Sequence, residues 1–329
     1  MKKQELNEKI NNYLNKNYDN FVFLISGRAT IDLAIKNAIA NNPNLKKAYL
    51  PNYICDSMVK PFIDNGMIVE FYAINFDGNC FNVNTSSFEN KDNIIVLYCD
   101  YFISSERNYK IITQSLSKNA ILIHDVTHTL FSGNFLDYRD DYLVCSMRKW
   151  FPIEDGGLFV CKNELTLHSF KNDLTYLLFK EKAKQAKEQY YANPSDYNKK
   201  IYESLSDQAE SVLNENYSLN LMSLKNRNYL DTIDLEKYFQ TKRELFNMIK
   251  QNLSEYQLLA GANDINCIFT FPLVNLNNRD EIFKKLRNIL IRCAVMWDFN
   301  DDEIYKEFVD KSICVDISEN TIMQLRRYR

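Results

Sequence analysis

Short apolar runs alternate with stretches of helical periodicity through the first half of the chain. Seven runs of four to seven residues are expected to form strands, at 21–25, 47–50, 68–74, 94–99, 121–125, 142–146 and 158–161. Amphipathic stretches between them are expected to form helices, at 29–40, 57–65 and 110–118. Short strands separated by helices are typical of a mostly parallel sheet with helices on both faces. The pattern therefore predicts a three-layer α/β domain that binds ligands at the carboxyl ends of its strands.

The pattern changes after Cys161. Long helices rich in Lys and Glu are predicted at 174–191, 200–214 and 229–253, and Pro194 separates the first from the second. A final strand, helix and strand are predicted at 267–274, 280–290 and 313–317. We therefore expect a large domain over residues 1–225 and a small C-terminal α+β domain over residues 226–329. The segment before the first strand, roughly residues 1–20, is expected to pack on the small domain.

Composition narrows the classes of partner. The chain has 329 residues, of which 46% are hydrophobic, and its 40 Lys and Arg nearly balance its 43 Asp and Glu. This balance argues against the basic surface that nucleic-acid binding requires. No apolar run approaches the roughly 18 residues that span a membrane, and no apolar export leader follows the amino terminus. The eight cysteines form no CxxC pair, so the expected protein is soluble and cytoplasmic.

Polar side chains follow three of the predicted strands. Asp125 ends the strand at 121–125, and Lys149 follows the next strand, three residues after Ser146. The first strand ends in Ser26, Gly27 and Arg28 and opens directly into a predicted helix. Unpaired backbone N–H groups at the start of a helix attract anions. The sequence therefore predicts a phosphate subsite at this turn.

These groups meet the requirements of pyridoxal phosphate (PLP). The aldehyde of PLP needs an amine that loses its proton near neutral pH, and a partly desolvated lysine beside a cation meets this need. Lys149, which follows an arginine, is the candidate. A buried carboxylate keeps the ring nitrogen protonated, and Asp125 is the candidate. The backbone amides of Gly27 and Arg28 and the hydroxyl of Ser146 are candidates for binding the phosphate.

The chain resembles the DegT/DnrJ/EryC1/StrS family of PLP-dependent sugar aminotransferases. The matching segments are SGRA at 26–29, DVTH at 125–128, SMRK at 146–149 and LPNYIC at 50–55. The resemblance spans residue 21 to about residue 297. It implies the aspartate-aminotransferase fold, also called fold type I, with PLP as the cofactor.

The resemblance also implies a role for each matching residue. Lys149 is expected to carry PLP as a Schiff base and then to move a proton between substrate and cofactor. Asp125 is expected to bind the ring nitrogen, and His128 to lie near the ring hydroxyl. Lys149, Asp125 and His128 are therefore the expected catalytic residues. Ser146 is expected to contact the phosphate.

The chain departs from the family in three places. The family more often has Gly-Thr at positions 27–28, and it has a glycine after a His-Tyr-Phe-like run where this chain has DYFI at 100–103. A side chain shortly after Pro51 is implied to cover the ring face, and an aromatic residue is usual there. Counting from Pro51 selects Cys55, and Tyr53 is the rival, so both are kept as cofactor-binding residues.

The expected function is transfer of an amino group from glutamate or another amino acid to a keto-sugar, in particular a nucleotide-linked one, for surface-polysaccharide synthesis. Retention of Lys149 argues against the dehydratase branch of the family, in which a histidine replaces the lysine. The resemblance further implies a homodimer with shared active sites. In such a dimer Lys225, Asn226 or Arg227 could reach the partner's site.

Three rival functions stay open. The acceptor could be a non-sugar carbonyl compound. The chain could be a non-catalytic relative that keeps the fold as a binding or regulatory module. A metal-assisted hydrolase could use His124 and His128, although residues four apart are not juxtaposed on a strand as they are on a helix, and a zinc site needs three or four ligands.

Overall fold

A computed structural model describes residues 8, 10, 20–131, 140–162, 165–166, 169–297 and 303–327. Its central feature is a seven-stranded sheet with the order β1-β9-β8-β7-β6-β2-β3. These strands are β1 Asn20–Leu24, β2 Lys47–Pro51, β3 Ile68–Tyr72, β6 Ile94–Cys99, β7 Ile121–Asp125, β8 Tyr142–Cys145 and β9 Gly157–Cys161. All neighbouring pairs are parallel except the two that involve β9. The predicted, mostly parallel sheet is confirmed.

One predicted strand is in fact two. The run at 68–74 divides into β3 and a separate short strand, β4 Ile74–Phe76, which pairs with β5 Phe81–Val83. The break lies where the backbone N–H of Ile74 turns to donate to Oδ1 of Asn52 at 2.8 Å. The apolar pattern continues through this turn, so the pattern alone does not reveal it.

In the first half of the chain the described residues form three helices: α1 Gly27–Asn41, α2 Asp56–Asp64 and α3 Glu106–Ser115. Ser26 caps α1, because its hydroxyl accepts a hydrogen bond from the backbone N–H of Ala29 at 3.3 Å. Ser105 caps α3 in the same way through the N–H of Asn108. This cap starts α3 four residues earlier than the apolar periodicity indicates.

The described residues of the second half form seven helices. They are α4 Thr175–Ala192, α5 Asp196–Asn216, α6 Leu224–Thr232, α7 Leu235–Asn252, α8 Arg279–Asn288, α9 Glu303–Asp310 and α10 Glu319–Arg327. The prediction of a single helix at 229–253 is wrong, because this stretch contains the end of α6 and a separate helix, α7. Asp234 caps α7, its carboxylate accepting from the N–H of Lys237 at 3.1 Å. Helices α4 and α5 form a long antiparallel hairpin.

The C-terminal part contains a four-stranded antiparallel sheet with the order β10-β11-β13-β12. Its strands are β10 Gln257–Leu258, β11 Phe271–Val274, β12 Cys293–Ala294 and β13 Ile313–Val315. Before α6, the chain still contacts the large sheet, where the N–H of Met222 donates to the carbonyl of Phe23 at 3.0 Å. The boundary at 225/226 stays a prediction.

We expect residues 1–20 to pack on the small domain, but only residues 8, 10 and 20 of this segment are among the described residues. Ile10 is buried in an apolar cluster with Trp150, Leu235 and Phe239. All eight cysteines are free, and no helix among the described residues has both the length and the apolar character needed to cross a bilayer.

Gly157, at the start of β9, permits a very close approach to β1. A Cβ atom on Gly157 would lie 2.3 Å from the carbonyl oxygen of Ser26 and 2.9 Å from the backbone nitrogen of Gly27. Both contacts are to backbone, which side-chain movement does not relieve. The turn that opens α1 therefore depends on a glycine at 157.

We expect Gly157→Ala to lower the free energy of unfolding by more than about 3 kcal/mol, because the methyl group displaces the β1–α1 turn. Gly66→Ala is the matched control: its position is open, and only its positive φ of 70° is unfavourable, at about 1 kcal/mol. Urea unfolding of both variants measures the difference. Equal losses at the two positions would contradict the close-approach argument.

Candidate active site

The parallel strands deliver the predicted site residues to one edge of the sheet. An open cleft of about 620 Å³ lies there. Its lining includes the predicted residues Gly27, Arg28, Cys55, Asp125, His128, Ser146 and Lys149. These residues come from the carboxyl ends of β1, β2, β7 and β8, so sheet topology alone brings together positions up to 122 residues apart, from 27 to 149.

Asp125 is buried at the end of β7, and Thr127 fixes its carboxylate. The backbone N–H of Thr127 donates to Oδ1 of Asp125 at 2.7 Å. The hydroxyl of the same threonine accepts from the N–H of Ser146 at 3.0 Å, and its carbonyl accepts from Nε1 of Trp150 at 2.7 Å. Thr127 therefore joins the tip that carries Asp125 to the tip that carries Lys149. The sequence pattern assigns Thr127 no role of its own.

Burial raises the pKa of Asp125, while hydrogen bonds from Thr127 and the attraction of Lys149 oppose the rise. A carboxylate in this position loses hydration that a cationic group in the cleft would replace. The site therefore favours a positively charged N–H group beside Asp125.

His128 is buried and neutral. Burial and the charge of Lys149 lower the pKa of His128 well below its usual range. The backbone N–H of Phe102 donates to Nδ1 of His128 at 3.2 Å, which leaves the ring proton on Nε2. The imidazole stacks on Phe269 with a ring-centroid distance of 4.3 Å and on Trp297 at 5.7 Å. His128 is thus a fixed neutral hydrogen-bond donor.

The residue that orients His128 has an unusual backbone. Phe102 has a φ of 65°, in the left-handed region, and its side chain is fully buried. A non-glycine residue in this conformation costs of order 1 to 3 kcal/mol. The strained conformation occurs within the DYFI segment, close to where the resemblance leads to the expectation of a glycine.

Lys149 is exposed to the cleft at the end of a short 3₁₀ turn, Met147–Lys149, that follows β8. Its backbone N–H donates to the carbonyl of Ser146 at 3.2 Å, so the turn holds the two residues in a constant relation. The Nζ atom of Lys149 lies 6.0 Å from the ring centroid of Phe269.

The start of α1, where the sequence predicts a phosphate subsite, has backbone amides without acceptors. The first helical N–H groups, those of Gly27 and Arg28, have no hydrogen-bond acceptor among the described residues, whereas Ala29 and Thr30 donate to Ser26. A Cβ atom on Gly27 would lie 2.9 Å from Cβ of Ser146, so the two segments touch and only glycine leaves room beside the hydroxyl. Amides and a hydroxyl therefore converge as an oxyanion requires.

Cys55 and Tyr53, the two candidates for covering the face of the cofactor ring, lie in different environments. Cys55 lines the cleft, and its thiol lies 2.9 Å from the hydroxyl of Ser57. Tyr53 does not line the cleft: it is 1% exposed, and its hydroxyl donates to the carbonyl of Met296 at 3.1 Å. Aromatic packing holds it there, since its ring stacks on Phe81 and meets further aromatic rings edge-on.

The C-terminal part supplies two aromatic side chains that the sequence analysis missed: Trp297, which lines the cleft, and Phe269, which stacks on His128. No pattern near them signals the site, because they come from loops beyond β10 and β12. By contrast, the residues proposed to reach a second subunit are engaged within their own chain. Asn226 is buried and donates to Asp155, and Arg227 lies over the ring of Phe23 at 3.7 Å.

A buried ionic network lies beneath the cleft. Both ring nitrogens of His124 lie 3.2 Å from carboxylate oxygens, Nε2 from Asp100 and Nδ1 from Asp140. Burial alone would lower the pKa of His124, but the attraction of Asp140 and Asp100 and their hydrogen bonds raise it to about 10. His124 is therefore a buried cation between two carboxylates, and Asp100 carries the network to the cleft lining.

Comparisons with solved structures identify the fold. A sugar aminotransferase from Micromonospora echinospora has a TM-score of 0.61 and 11% identity, with 98% of this chain and 89% of that chain covered. A putative sugar aminotransferase from Streptococcus pneumoniae in its PLP form has a TM-score of 0.62 and 11% identity, with 98% and 88% covered.

The E. coli GDP-4-keto-6-deoxy-D-mannose-3-dehydratase with bound hydrated PLP has a TM-score of 0.60 and 15% identity, with 98% and 90% covered. No protein-family model matches the chain, and no curated protein sequence matches it. The chain thus has the fold of the sugar aminotransferases, as the sequence resemblance implies.

The His124 network predicts a fall in stability at alkaline pH. The pKa of His124 is about 10 in the folded chain and near 6.5 when exposed, so its contribution is complete below pH 6.5 and is lost as pH rises through 10. We expect Asp140→Asn to shift this loss to lower pH, because one of the two stabilising charges is removed. The affected contribution is on the order of a few kcal/mol.

Urea unfolding between pH 6 and pH 10 measures this shift. Asp92→Asn is the control, since Asp92 is exposed and outside the network. Parallel pH profiles for the wild type and Asp140→Asn would contradict the assignment of a charged His124.

Proposed function

We propose that the chain is a PLP-dependent aminotransferase that acts on a keto-sugar. The observation that carries the proposal is the meeting of three groups in one cleft: the amine of Lys149, the buried carboxylate of Asp125 and the amide corner of Gly27 and Arg28. Each has the chemistry that one part of PLP requires. The fold shared with sugar aminotransferases supports the same conclusion.

The residues fit the cofactor part by part. The N–H groups of Gly27 and Arg28 and the hydroxyl of Ser146 would hold its phosphate, and Asp125 would hold its ring nitrogen. His128, with its proton on Nε2, would donate to the ring hydroxyl. When bound, PLP supplies an aldehyde and an electron-accepting ring that stabilises negative charge on the substrate carbon.

The chain's own groups then divide the work. Asp125 would keep a proton on the ring nitrogen, since its buried carboxylate is stabilised by a neighbouring cation. Lys149 would hold the cofactor through Nζ, and the same amine would move a proton between carbon atoms of the substrate and the cofactor. Phe269 and Trp297 exclude water from one side of His128.

The amino donor in this proposal is glutamate or another amino acid, and the acceptor is a nucleotide-linked keto-sugar of surface-polysaccharide synthesis. The structural neighbours described as sugar aminotransferases support the acceptor class. The dehydratase among the neighbours raises the alternative of water elimination from a keto-sugar. The retained Lys149 favours amino transfer, because an amine anchors the cofactor covalently where an imidazole does not.

We further propose that the protein is a cytoplasmic homodimer in which a second subunit completes each site. The cleft contains the polar groups for a cofactor and is open to solvent within one chain. The partner subunit would cover this opening.

We expect purified protein incubated with PLP to carry one phosphopyridoxyl group on Lys149 after borohydride reduction, because reduction fixes PLP on the amine to which it is bound. Lys149→Ala should lose both the adduct and the visible absorbance, and intact-protein and peptide mass spectrometry measure the loss. The control is Lys118→Ala, an exposed lysine outside the cleft. An adduct that persists in Lys149→Ala would refute the assignment.

We expect glutamate to convert the PLP form to the amino form of the cofactor, and a nucleotide-linked keto-sugar to reverse the change. Stopped-flow absorbance in single-turnover mode follows each half-reaction separately. Restoration by simple 2-oxo acids at the same rate as by keto-sugars would favour the non-sugar alternative. Loss of a sugar hydroxyl without nitrogen transfer, detected by mass spectrometry of the sugar, would favour the dehydratase.

A further inference from the structure

Two arginine side chains line the cleft on the side of the phosphate corner. Arg28 is the second residue of α1, and Arg148 precedes Lys149 in the turn after β8. In each, Nε is buried and has no hydrogen-bond partner among the described residues. A buried guanidinium N–H without an acceptor costs free energy, so both side chains are poised to bind an acceptor from the cleft.

The contacts that these arginines do make position them without using all their donors. Nη1 of Arg28 donates to Asn214, and the guanidinium lies 5.7 Å from the ring centroid of Tyr217. Nη1 of Arg148 donates to the hydroxyl of Tyr176, and its guanidinium lies 5.5 Å from that ring. Because each guanidinium has five N–H donors, the remaining ones are available to an anion.

The charge around the pair is unbalanced. Glu210 of α5 is the shared carboxylate: its Oε1 lies 3.9 Å from Arg148 and 3.1 Å from Lys180, and it also attracts Arg28. Three cations therefore share one anion. Burial lowers the pKa of Arg28, and the attraction of Glu210 does not fully offset this burial and the repulsion of Arg148. A dianion placed between the two guanidinium groups would correct the imbalance.

We infer that the side chains of Arg28 and Arg148 together clamp a phosphate group, and that this group is the phosphate of the cofactor. The inference rests on the proposed function and adds to it, since backbone amides and a serine hydroxyl are otherwise the only groups assigned to the phosphate. Arg28 directly follows Gly27, Arg148 follows Ser146 by two residues, and all four line the same cleft, which favours the cofactor as the source of the phosphate. Guanidinium groups match phosphate oxygens bidentately, as ammonium groups do not.

The test compares PLP with pyridoxal, which has the same aldehyde and ring but no phosphate. Apo protein is titrated with each compound, and dissociation constants are measured by absorbance and tryptophan fluorescence. We expect Arg28→Gln and Arg148→Gln each to weaken PLP binding about tenfold to a hundredfold and to leave pyridoxal binding unchanged within about twofold. The matched control is Arg107→Gln, an exposed arginine outside the cleft.

Each other outcome contradicts the inference. Equal weakening of PLP and pyridoxal would mean that the arginines act on the fold rather than on the phosphate. Unchanged PLP binding would exclude the clamp. A nucleoside diphosphate is also titrated into PLP-loaded protein. If the variants weaken only its binding, the arginines bind the substrate's phosphates, and the assignment to the cofactor is overturned.

Failure of the proposed function gives a different result. If wild-type protein binds neither PLP nor pyridoxal, the aminotransferase assignment fails, whatever the arginine variants do. The clamp is then tested with inorganic phosphate alone, which we expect to raise the melting temperature of apo wild-type protein. The same addition should have no effect on the Arg28→Gln/Arg148→Gln double variant, and an equal rise in both proteins would exclude the clamp.

Discussion

The parallel alignment of six of the seven strands in the main sheet is the constraint on which the site depends. It places every strand-to-helix turn of the first half at one edge, so an amide corner, a carboxylate and an amine meet without any contact between them in sequence. The antiparallel strand β9 begins at this edge with Gly157, which has no side chain and therefore packs directly against the carbonyl of Ser26. Sheet topology therefore determines where the site lies, and Gly157 leaves the space that the turn at Ser26 and Gly27 needs.

The buried charges at this edge of the sheet form two groups, one beneath the cleft and one that lines it. Beneath the cleft, His124 is held between Asp100 and Asp140, so a buried cation is fully paired before any ligand is considered. At the cleft itself the pairing is incomplete: the carboxylate of Asp125 and two guanidinium groups face a common volume. A cavity lined by groups of both charges suits a ligand that is cationic at one end and anionic at the other, as a protonated pyridine with a phosphate arm is.

The sequence predicts the parts of the site that a strand delivers. Asp125, Ser146 and Lys149 follow apolar runs, and the direction of a parallel sheet then decides where they lie. Residues that arrive by tertiary packing are not predictable in this way. Phe269 and Trp297 follow no strand of the main sheet, and Tyr53 has the right position in sequence but turns into an aromatic cluster. The sequence pattern also does not reveal where helices end. The apolar periodicity continues through residue 234, although Asp234 caps a new helix there.

The arginine pair connects the site to the helical hairpin of α4 and α5, which the sequence shows only as two long helices rich in Lys and Glu. Tyr176 of α4 and Glu210 and Asn214 of α5 are the protein partners of the two guanidinium groups. An anion that binds the arginines shares their positive charge with Glu210, so binding at the sheet edge weakens the attraction between the arginines and the hairpin. Energetic coupling of this kind is reciprocal, and whatever stabilises the hairpin in the position seen here also changes the affinity of the clamp for phosphate. With the proposed clamp, the hairpin acts on the site through the two arginines, although none of its residues lines the cleft.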